Sequence, residues 1–294
     1  MSSSSRVWLI TGASSGIGFE MARCALEHGD RVVATLRKPS VLDSFASKYS
    51  PTQLILVKLD VTNHAEIKQA FQRAKEAFGR VDIVLNNAAY GVIGEAEAVS
   101  DDLARPMFEV NFWGAVHVSQ EAVRFFRDEN QPQGGHLLQV SATVGITAYP
   151  NTAFYGASKH ALEGFSESLI KELPPAWNIK GTIIELGGFA TGMTSAIQFA
   201  PRHPAYPVTD SIHHKIREVW ETRPQDSARL LRASDPAKGV QKIYELTQLD
   251  NPPLRMPLGK DSVNFIQQFA AELTKSAEEY ASWSDNIAYE VTQE

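Results

Sequence analysis

The run Thr11-Gly12-Ala13-Ser14-Ser15-Gly16-Ile17-Gly18 constrains the fold more than any other stretch of this chain. An apolar tetrad, Val7-Trp8-Leu9-Ile10, precedes it, and a helical pattern through Phe19, Met21, Ala22 and Leu26 follows. A strand that turns on glycines straight into a helix makes a place to hold phosphate. Glycine accepts positive φ and lets a ligand approach the backbone, and the free N–H groups and dipole of the new helix favour an anion. The common dinucleotide fingerprint is G-x-G-x-x-G; here the order is G-x-x-x-G-x-G. Such a turn alone also serves as a plain strand–helix connection, so the rest of the chain must decide.

Downstream, strands and helices alternate at short intervals, which argues for a doubly wound α/β fold with a parallel sheet covered on both faces. Strands are expected at residues 7–10, 31–35, 54–58, 81–85, 136–140 and 181–185. Helices are expected at about 16–28, 41–48, 101–127 and 153–173. Another carries Ile67, Phe71, Ala74 and Phe78 on one stripe and stops at Gly79. After residue 187 the rhythm breaks. A lid over about 187–225, with Phe189, Met193, Ile197, Phe199, Tyr206 and Trp220, is expected to cover an apolar pocket. Ile212, Ile216, Val219 and Trp220 form the stripe of a lid helix. A helix near 236–248, a short strand at 254–256, and a final helix and tail over about 259–294 complete one domain spanning 1–294.

Several classes are excluded by composition and charge. Acidic residues number 34 against 28 bases, with no basic block for nucleic acid and no run of membrane-spanning length. The polar start Met1–Arg6 has no secretory apolar segment, and the lone Cys24 suits a reducing compartment, so a cytoplasmic protein is expected. The eight histidines show no ligand spacing; His213 and His214 are neighbours that point apart on a helix, so no metal is expected.

Tyr155 and Lys159 stand one helical turn apart on one face. A phenol titrates near pH 10, and a nearby ammonium brings it toward the range where acid–base catalysis is efficient. Tyr155 can then protonate an oxygen that gains charge as a hydride reaches its carbon. At the end of the second strand, Thr35-Leu36-Arg37-Lys38 lacks the acid that binds a ribose 2′-hydroxyl. A cation there pairs with a 2′-phosphate, so the cofactor expected is NADP(H), with Arg37 the main determinant and Ser15 adding a hydroxyl.

Five stretches, in order, resemble the short-chain dehydrogenase/reductase family: Thr11–Gly18, Asp60-Val61, Asn86-Asn87-Ala88-Ala89, Asn111, and Tyr155-Gly-Ala-Ser-Lys159. Ala34–Arg37 and Pro252–Lys260 look like its 17β-hydroxysteroid dehydrogenase-like branch, with fungal and bacterial relatives. The resemblance implies a Rossmann fold in which Gly12, Ser14, Ser15, Gly16, Ile17 and Gly18 hold the cofactor. It implies that Asp60 and Val61 contact the adenine, that Asn87 lines the adenine-ribose side, that Thr191 binds the carboxamide or the pyrophosphate, and that Phe189 is a further cofactor contact. Lys159 would contact the nicotinamide ribose, with Asn111 tying a water chain to it. A homodimer or homotetramer packed through the two long helices is also implied.

Three positions depart from the family pattern. Counting back from Tyr155, the catalytic serine falls on Ala142, flanked by Ser141 and Thr143. Neighbours in a strand face opposite ways, so neither flank replaces it automatically; both stay as candidates. Ala89 replaces a glycine and Leu186 a proline, the latter expected to loosen the segment over the nicotinamide. The leading expectation is hydride transfer between NADP(H) and a ketone or secondary alcohol of a bulky hydrophobic substrate. Ala142 keeps open an isomerase or dehydratase, or a cofactor sensor without turnover.

Overall fold

The computed structural model describes residues 5–191, 197–206, 212–222 and 233–288. Its main strands are β1 (Val7–Ile10), β2 (Arg31–Leu36), β3 (Leu54–Lys58), β4 (Ile83–Asn86), β6 (Gly135–Ala142), β7 (Ile179–Leu186) and β9 (Arg255–Leu258). They form a seven-stranded parallel sheet in the order β3-β2-β1-β4-β6-β7-β9. Near-continuous Val, Ile and Leu in these strands reflect burial on both faces. On one face pack α1 (Gly16–Glu27) and α8 (Pro236–Leu246), joining Trp8, Ile10, Met21, Ala25, Val240 and Ile243 into one core. The single turn α2 (Asp43–Ala46) lays Phe45 against it. On the other face, α3 (His64–Phe78) and α5 (Ala115–Asp128) close over Leu9, Val33, Val84 and Leu137. α6 (Ala153–Glu172) lies beside α5, its Leu169 packed on the same core. Chain order reverses between β1 and β4, which opens a crevice at the carboxyl ends of the strands.

Local chemistry explains the boundaries of α3. The Asn63 side chain accepts from Ala65 N at 3.0 Å and Glu66 N at 3.3 Å, and Gly79 ends the helix at φ 79°. The helix expected over 101–127 is one helical run in three parts: α4 (Asp101–Phe108), a π turn (Glu109–Gly114) and α5. The wider turn is centred on buried Asn111, whose side chain reaches out to Tyr90 instead of staying on the helix surface.

The lid region adds a small parallel ladder between β5 (Val92–Ile93) and β8 (Gln198–Phe199), strands too short to leave a sequence pattern. The expected lid helix is α7 (Ile212–Thr222). Met193 and the side chains of Ile212, His213, Ile216 and Val219 lie outside the described residues. What fastens α7 is Arg217, whose side chain is 1% exposed. Its Nη1 meets Glu95 Oε2 at 2.8 Å, its Nε meets Glu221 Oε1 at 2.8 Å, and its Nη2 donates to Ala200 O at 2.6 Å. Removing one partner of a buried ion pair leaves the other desolvated and unpaired. Arg217→Leu should therefore lower stability by about 3–5 kcal/mol in urea unfolding and speed amide exchange across α7. A change within experimental error would show that the lid is held by other contacts.

The last helix, α9 (Lys260–Glu279), touches the sheet only through its first turns. Among the described residues no helix is long and apolar enough to cross a membrane.

Candidate active site

The glycine turn is built as a cradle. Gly12 and Gly16 take φ of +67° and +57°, and a Cβ on Gly12 would lie 2.9 Å from Ala88 Cα. A Cβ on Gly18 would lie 2.5 Å from Gly12 O, so the helix can start this close to the turn only with glycine there. Ser15 caps α1 without a side-chain hydrogen bond, leaving the first N–H groups of the helix open toward the crevice. Thr11 is fully buried and ties the turn to β4: Asn87 N and Ala88 N donate to its Oγ1 at 2.9 and 3.0 Å. Asn87 Nδ2 donates back to Thr11 O at 2.9 Å. The carboxamide of Asn87 thus fixes the turn, while the residue still lines the crevice.

That crevice is a cavity of about 2040 Å³. It is lined by Gly12, Ser14, Ser15, Gly16, Ile17, Arg37, Asp60 and Val61, and by Tyr155, Lys159, Thr143, Phe189 and Thr191. The volume accommodates a dinucleotide and a substrate together. Arg37 is exposed at the rim, and its charge is felt by Asp60 and by Tyr90. Burial opposes ionisation of Asp60, but the N–H and hydroxyl of Thr62, at 3.0 and 2.8 Å, and Arg37 together hold its pKa low. Thr191 packs against the turn, its Cβ 3.3 Å from where a Cβ on Gly16 would be. The cradle, the open helix start and the cation at the rim fit a dinucleotide.

Tyr155 and Lys159 open onto the same cavity from α6. Lys159 is buried and its Nζ donates to Val140 O at 2.9 Å. Burial pushes Lys159 down to about 8, with the charge of Glu163 pulling the other way. Desolvation likewise pushes Tyr155 up to about 12, which corrects the expectation that the neighbouring ammonium lowers it. With Lys159 turned onto a backbone carbonyl, the cost of a poorly solvated phenolate dominates. A phenol in this state is fully protonated at neutral pH, which suits an acid better than a base.

Asn111 is fully buried and clamps the loop after β4. Its Oδ1 accepts from Tyr90 N at 3.0 Å, and its Nδ2 donates to Tyr90 O at 2.8 Å and to Ser158 Oγ at 3.3 Å. These partners take both Nδ2 hydrogens, and Lys159 is not among them. Ser158 in turn donates to Tyr155 O at 2.7 Å, so Asn111 fixes the first turn of α6 from the side.

Around Ala142 the two flanking hydroxyls diverge. Ser141 lines the cavity, but its Oγ is buried against Gly145 and the carboxylate of Glu163. Thr143, where β6 gives way to a short 3₁₀ turn, donates its hydroxyl to Leu186 O at 3.2 Å. The two glycines after Leu186 are hydrogen-bonded to neighbouring elements although no proline stands before them. Gly187 N donates to Leu258 O at 2.9 Å and Gly188 N to Asp261 Oδ2 at 2.6 Å, so β9 and α9 perform the fixing that a proline would. Two expected lid residues miss the pocket: Tyr206 is exposed and donates to Glu97 Oε2 at 2.9 Å, and Phe199 is outside the lining. Ile197, Trp220 and Phe265 do line it, with Tyr149 edge-on to Phe265.

Sequence reasoning missed Glu163, Glu185 and Arg255, a charged cluster in which two buried carboxylates share a partly exposed guanidinium. Glu163 was findable, since it continues the four-residue step from Tyr155 and Lys159.

A doubly wound sheet with a glycine cradle and a Tyr–Lys pair at its crevice defines a class of nucleotide-dependent enzyme folds. The model of the short chain dehydrogenase family matches residues 6–201, and the chain belongs to that family. It is 36% identical over 281 residues to an uncharacterized oxidoreductase, C162.03, of Schizosaccharomyces pombe, covering 95% of this chain and 91% of that protein. It is 33% identical to the oxidoreductase calM of Penicillium decumbens, covering 99% and 95%. A crystal structure of a short-chain dehydrogenase from Streptomyces avermitilis superposes with a TM-score of 0.83 at 29% identity, covering 98% of this chain and all of that one.

Proposed function

We propose that this protein is an NADP(H)-dependent reductase that transfers hydride between the nicotinamide and a ketone or secondary alcohol of a bulky hydrophobic substrate. The observation that carries this reading is the shared cavity: Tyr155, with Lys159 one turn further along α6, faces the same space as the glycine cradle. NADPH when bound supplies the hydride. Tyr155 supplies the proton to the developing alkoxide, a far stronger base than a tyrosinate, so a raised phenol pKa still allows donation. Thr143 takes the place of the missing serine, its hydroxyl swinging from Leu186 O to the substrate oxygen. Asn111 and Ser158 hold α6 so that Tyr155 keeps its aim. Phe189, Ile197, Trp220 and Phe265 give the substrate end an apolar wall. The reading extends to a cytoplasmic, single-domain protein that assembles as a homodimer or homotetramer through α5 and α6, on and beside which Trp113, Ala157 and Gly164 are exposed. The second reading, an isomerase or dehydratase or a sensor on the same cofactor, rests on Ala142.

NADP(H) preference is assigned to Arg37 pairing with the 2′-phosphate. Charge-assisted hydrogen bonds contribute about 1.5–3 kcal/mol each, so Arg37→Ala should weaken NADPH binding by about 10- to 100-fold and leave NADH binding nearly unchanged. Fluorescence titration with both nucleotides checks it. Equal loss for the two would place Arg37 outside phosphate recognition.

A further inference from the structure

The run Pro252–Lys260 ends in β9 and turns through Gly259, at φ +113°, into α9. The first turn of that helix is pinned to the end of β7. Ser262 is fully buried and donates its hydroxyl to Glu185 O at 2.8 Å. Asp261, one position earlier, sends its carboxylate onto the segment that leaves β7, where Oδ2 accepts from Gly188 N at 2.6 Å. An acid in the first turn of a helix is ordinarily explained by the helix dipole and the free N–H groups there. Here the hydrogen bond of the Asp261 side chain crosses to another element, and no cation pairs with it among the described residues.

Two glycines make room for this carboxylate. A Cβ on Gly187 would run into Asp261 Oδ1, and one on Gly259 would lie 2.6 Å from the same atom. Backbone contacts extend the hold on both sides. Gly187 N donates to Leu258 O at 2.9 Å, Ser234 N to Gly188 O at 2.7 Å, and Ala190 N to Ser234 O at 2.9 Å. The Phe189 ring fills the space that a Cβ on Gly239 of α8 would need. Among these contacts Asp261 supplies the charged group, and a hydrogen bond to an ion is roughly twice as strong as a neutral one. Asp261, Gly187, Gly188 and Phe189 all line the cavity that Tyr155 faces. One turn along α9, Phe265 lines it too and meets Tyr149 edge-on.

We propose that Asp261 is a positioning residue for hydride transfer, its carboxylate clamping Gly187 and Gly188 so that the segment through Phe189 holds the nicotinamide in line with Tyr155. The inference rests on the reductase reading, which puts the nicotinamide under this segment. A proline before the glycines would stiffen the segment from within, by fixing φ. This chain has Leu186 there and holds the segment from α9 instead. Asp261 gives and takes no proton and no electron: the hydride leaves bound NADPH with both electrons, and Tyr155 supplies the proton. Its contribution is geometric, and misplacing reacting groups by about 1 Å costs about 10²-fold in rate.

The test uses the full chain and two ligands. One is NADPH; the other is adenosine 2′,5′-bisphosphate, which has the adenosine half and the 2′-phosphate but no nicotinamide. Asp261→Ala should weaken NADPH binding about 10-fold and leave the bisphosphate unchanged, because the clamp acts on one half of the nucleotide. Single-turnover hydride transfer to a ketone the protein accepts should fall roughly 10- to 100-fold. Asp261→Asn keeps an acceptor for Gly188 N and should restore most of the rate. Asp261→Glu keeps the charge but sets the carboxylate one methylene further out, against Gly187, and should be slow; it carries the test if the alanine variant does not fold. In a double-mutant cycle, Gly187→Ala should be damaging alone and add little to Asp261→Ala, where the space is open. Wild-type NADPH affinity and transfer rate in Asp261→Ala, an equal loss of both ligands, or additivity in the cycle overturns the proposal. A wild type that binds NADPH and reduces no ketone removes the reductase reading, and the two affinities alone then judge the clamp. A wild type that binds no NADPH removes both.

Discussion

Replacing Tyr155 by phenylalanine should lower NADPH-dependent ketone reduction by about 10²–10⁴-fold, the range of a positioned general acid, while leaving NADPH affinity and the unfolding midpoint close to wild type. The ring sits at the head of α6 over the cavity, and removing one hydroxyl oxygen leaves its packing in place. What is lost is the proton at the moment the substrate oxygen becomes an alkoxide. Because desolvation holds the phenol far above neutral pH, the acid is loaded at every pH near 7, and no inflection in the forward rate should come from Tyr155 itself. The reverse reaction needs the phenolate, so alcohol oxidation should rise steadily toward alkaline pH. A variant retaining more than about a tenth of the wild-type rate would fall outside that range and place the proton donor elsewhere.

The second large effect concerns the missing serine. Thr143→Val should cost about 10²–10³ in kcat, as removal of one oxyanion donor typically does, with little change in folding because valine matches the shape of threonine. Thr143 is buried at the turn where β6 ends, and its hydroxyl is hydrogen-bonded to the carbonyl that closes β7. Ser141, one position before Ala142, points instead into the layer beneath α6. Ser141→Ala should consequently leave hydride transfer nearly unchanged. Steady-state rates of the two variants side by side decide the matter: a loss in Ser141→Ala with none in Thr143→Val would reverse the assignment.

Much of this architecture was legible because the signals are local and repeated. Val7–Ile10 with the glycine turn places the cradle, and the stripe through Ile67, Phe71, Ala74 and Phe78 places a helix against the sheet; all four side chains are buried. The four-residue spacing of Tyr155 and Lys159 puts both side chains on one face by helix geometry alone. Other features depend on contacts that a sequence pattern does not encode. The π turn around Asn111 exists because that side chain finds its partners on Tyr90, twenty-one positions away in the chain. The β5–β8 ladder is two residues long on each side, below any periodicity. Arg217 sits within an amphipathic helix, and only the fold brings Glu95 to it. The direction of the Tyr155 pKa was hidden for a related reason. Adjacency on a helix says that two groups are near, whereas desolvation and the hydrogen bond to Val140 O decide which effect wins.

Every role assigned in this cavity depends on hydride transfer, which deuterium tracing reads at the reacting carbon itself. NADPH carrying deuterium at nicotinamide C4, in each of its two orientations, is incubated with the protein and a panel of bulky ketones, and the products are read by mass spectrometry. An alcohol bearing one deuterium at the former carbonyl carbon is expected, from one of the two labelled forms only, and none with Tyr155→Phe beyond its residual rate. A product rearranged or dehydrated without deuterium, or NADPH that binds and is never consumed, would show that the cavity does not transfer hydride.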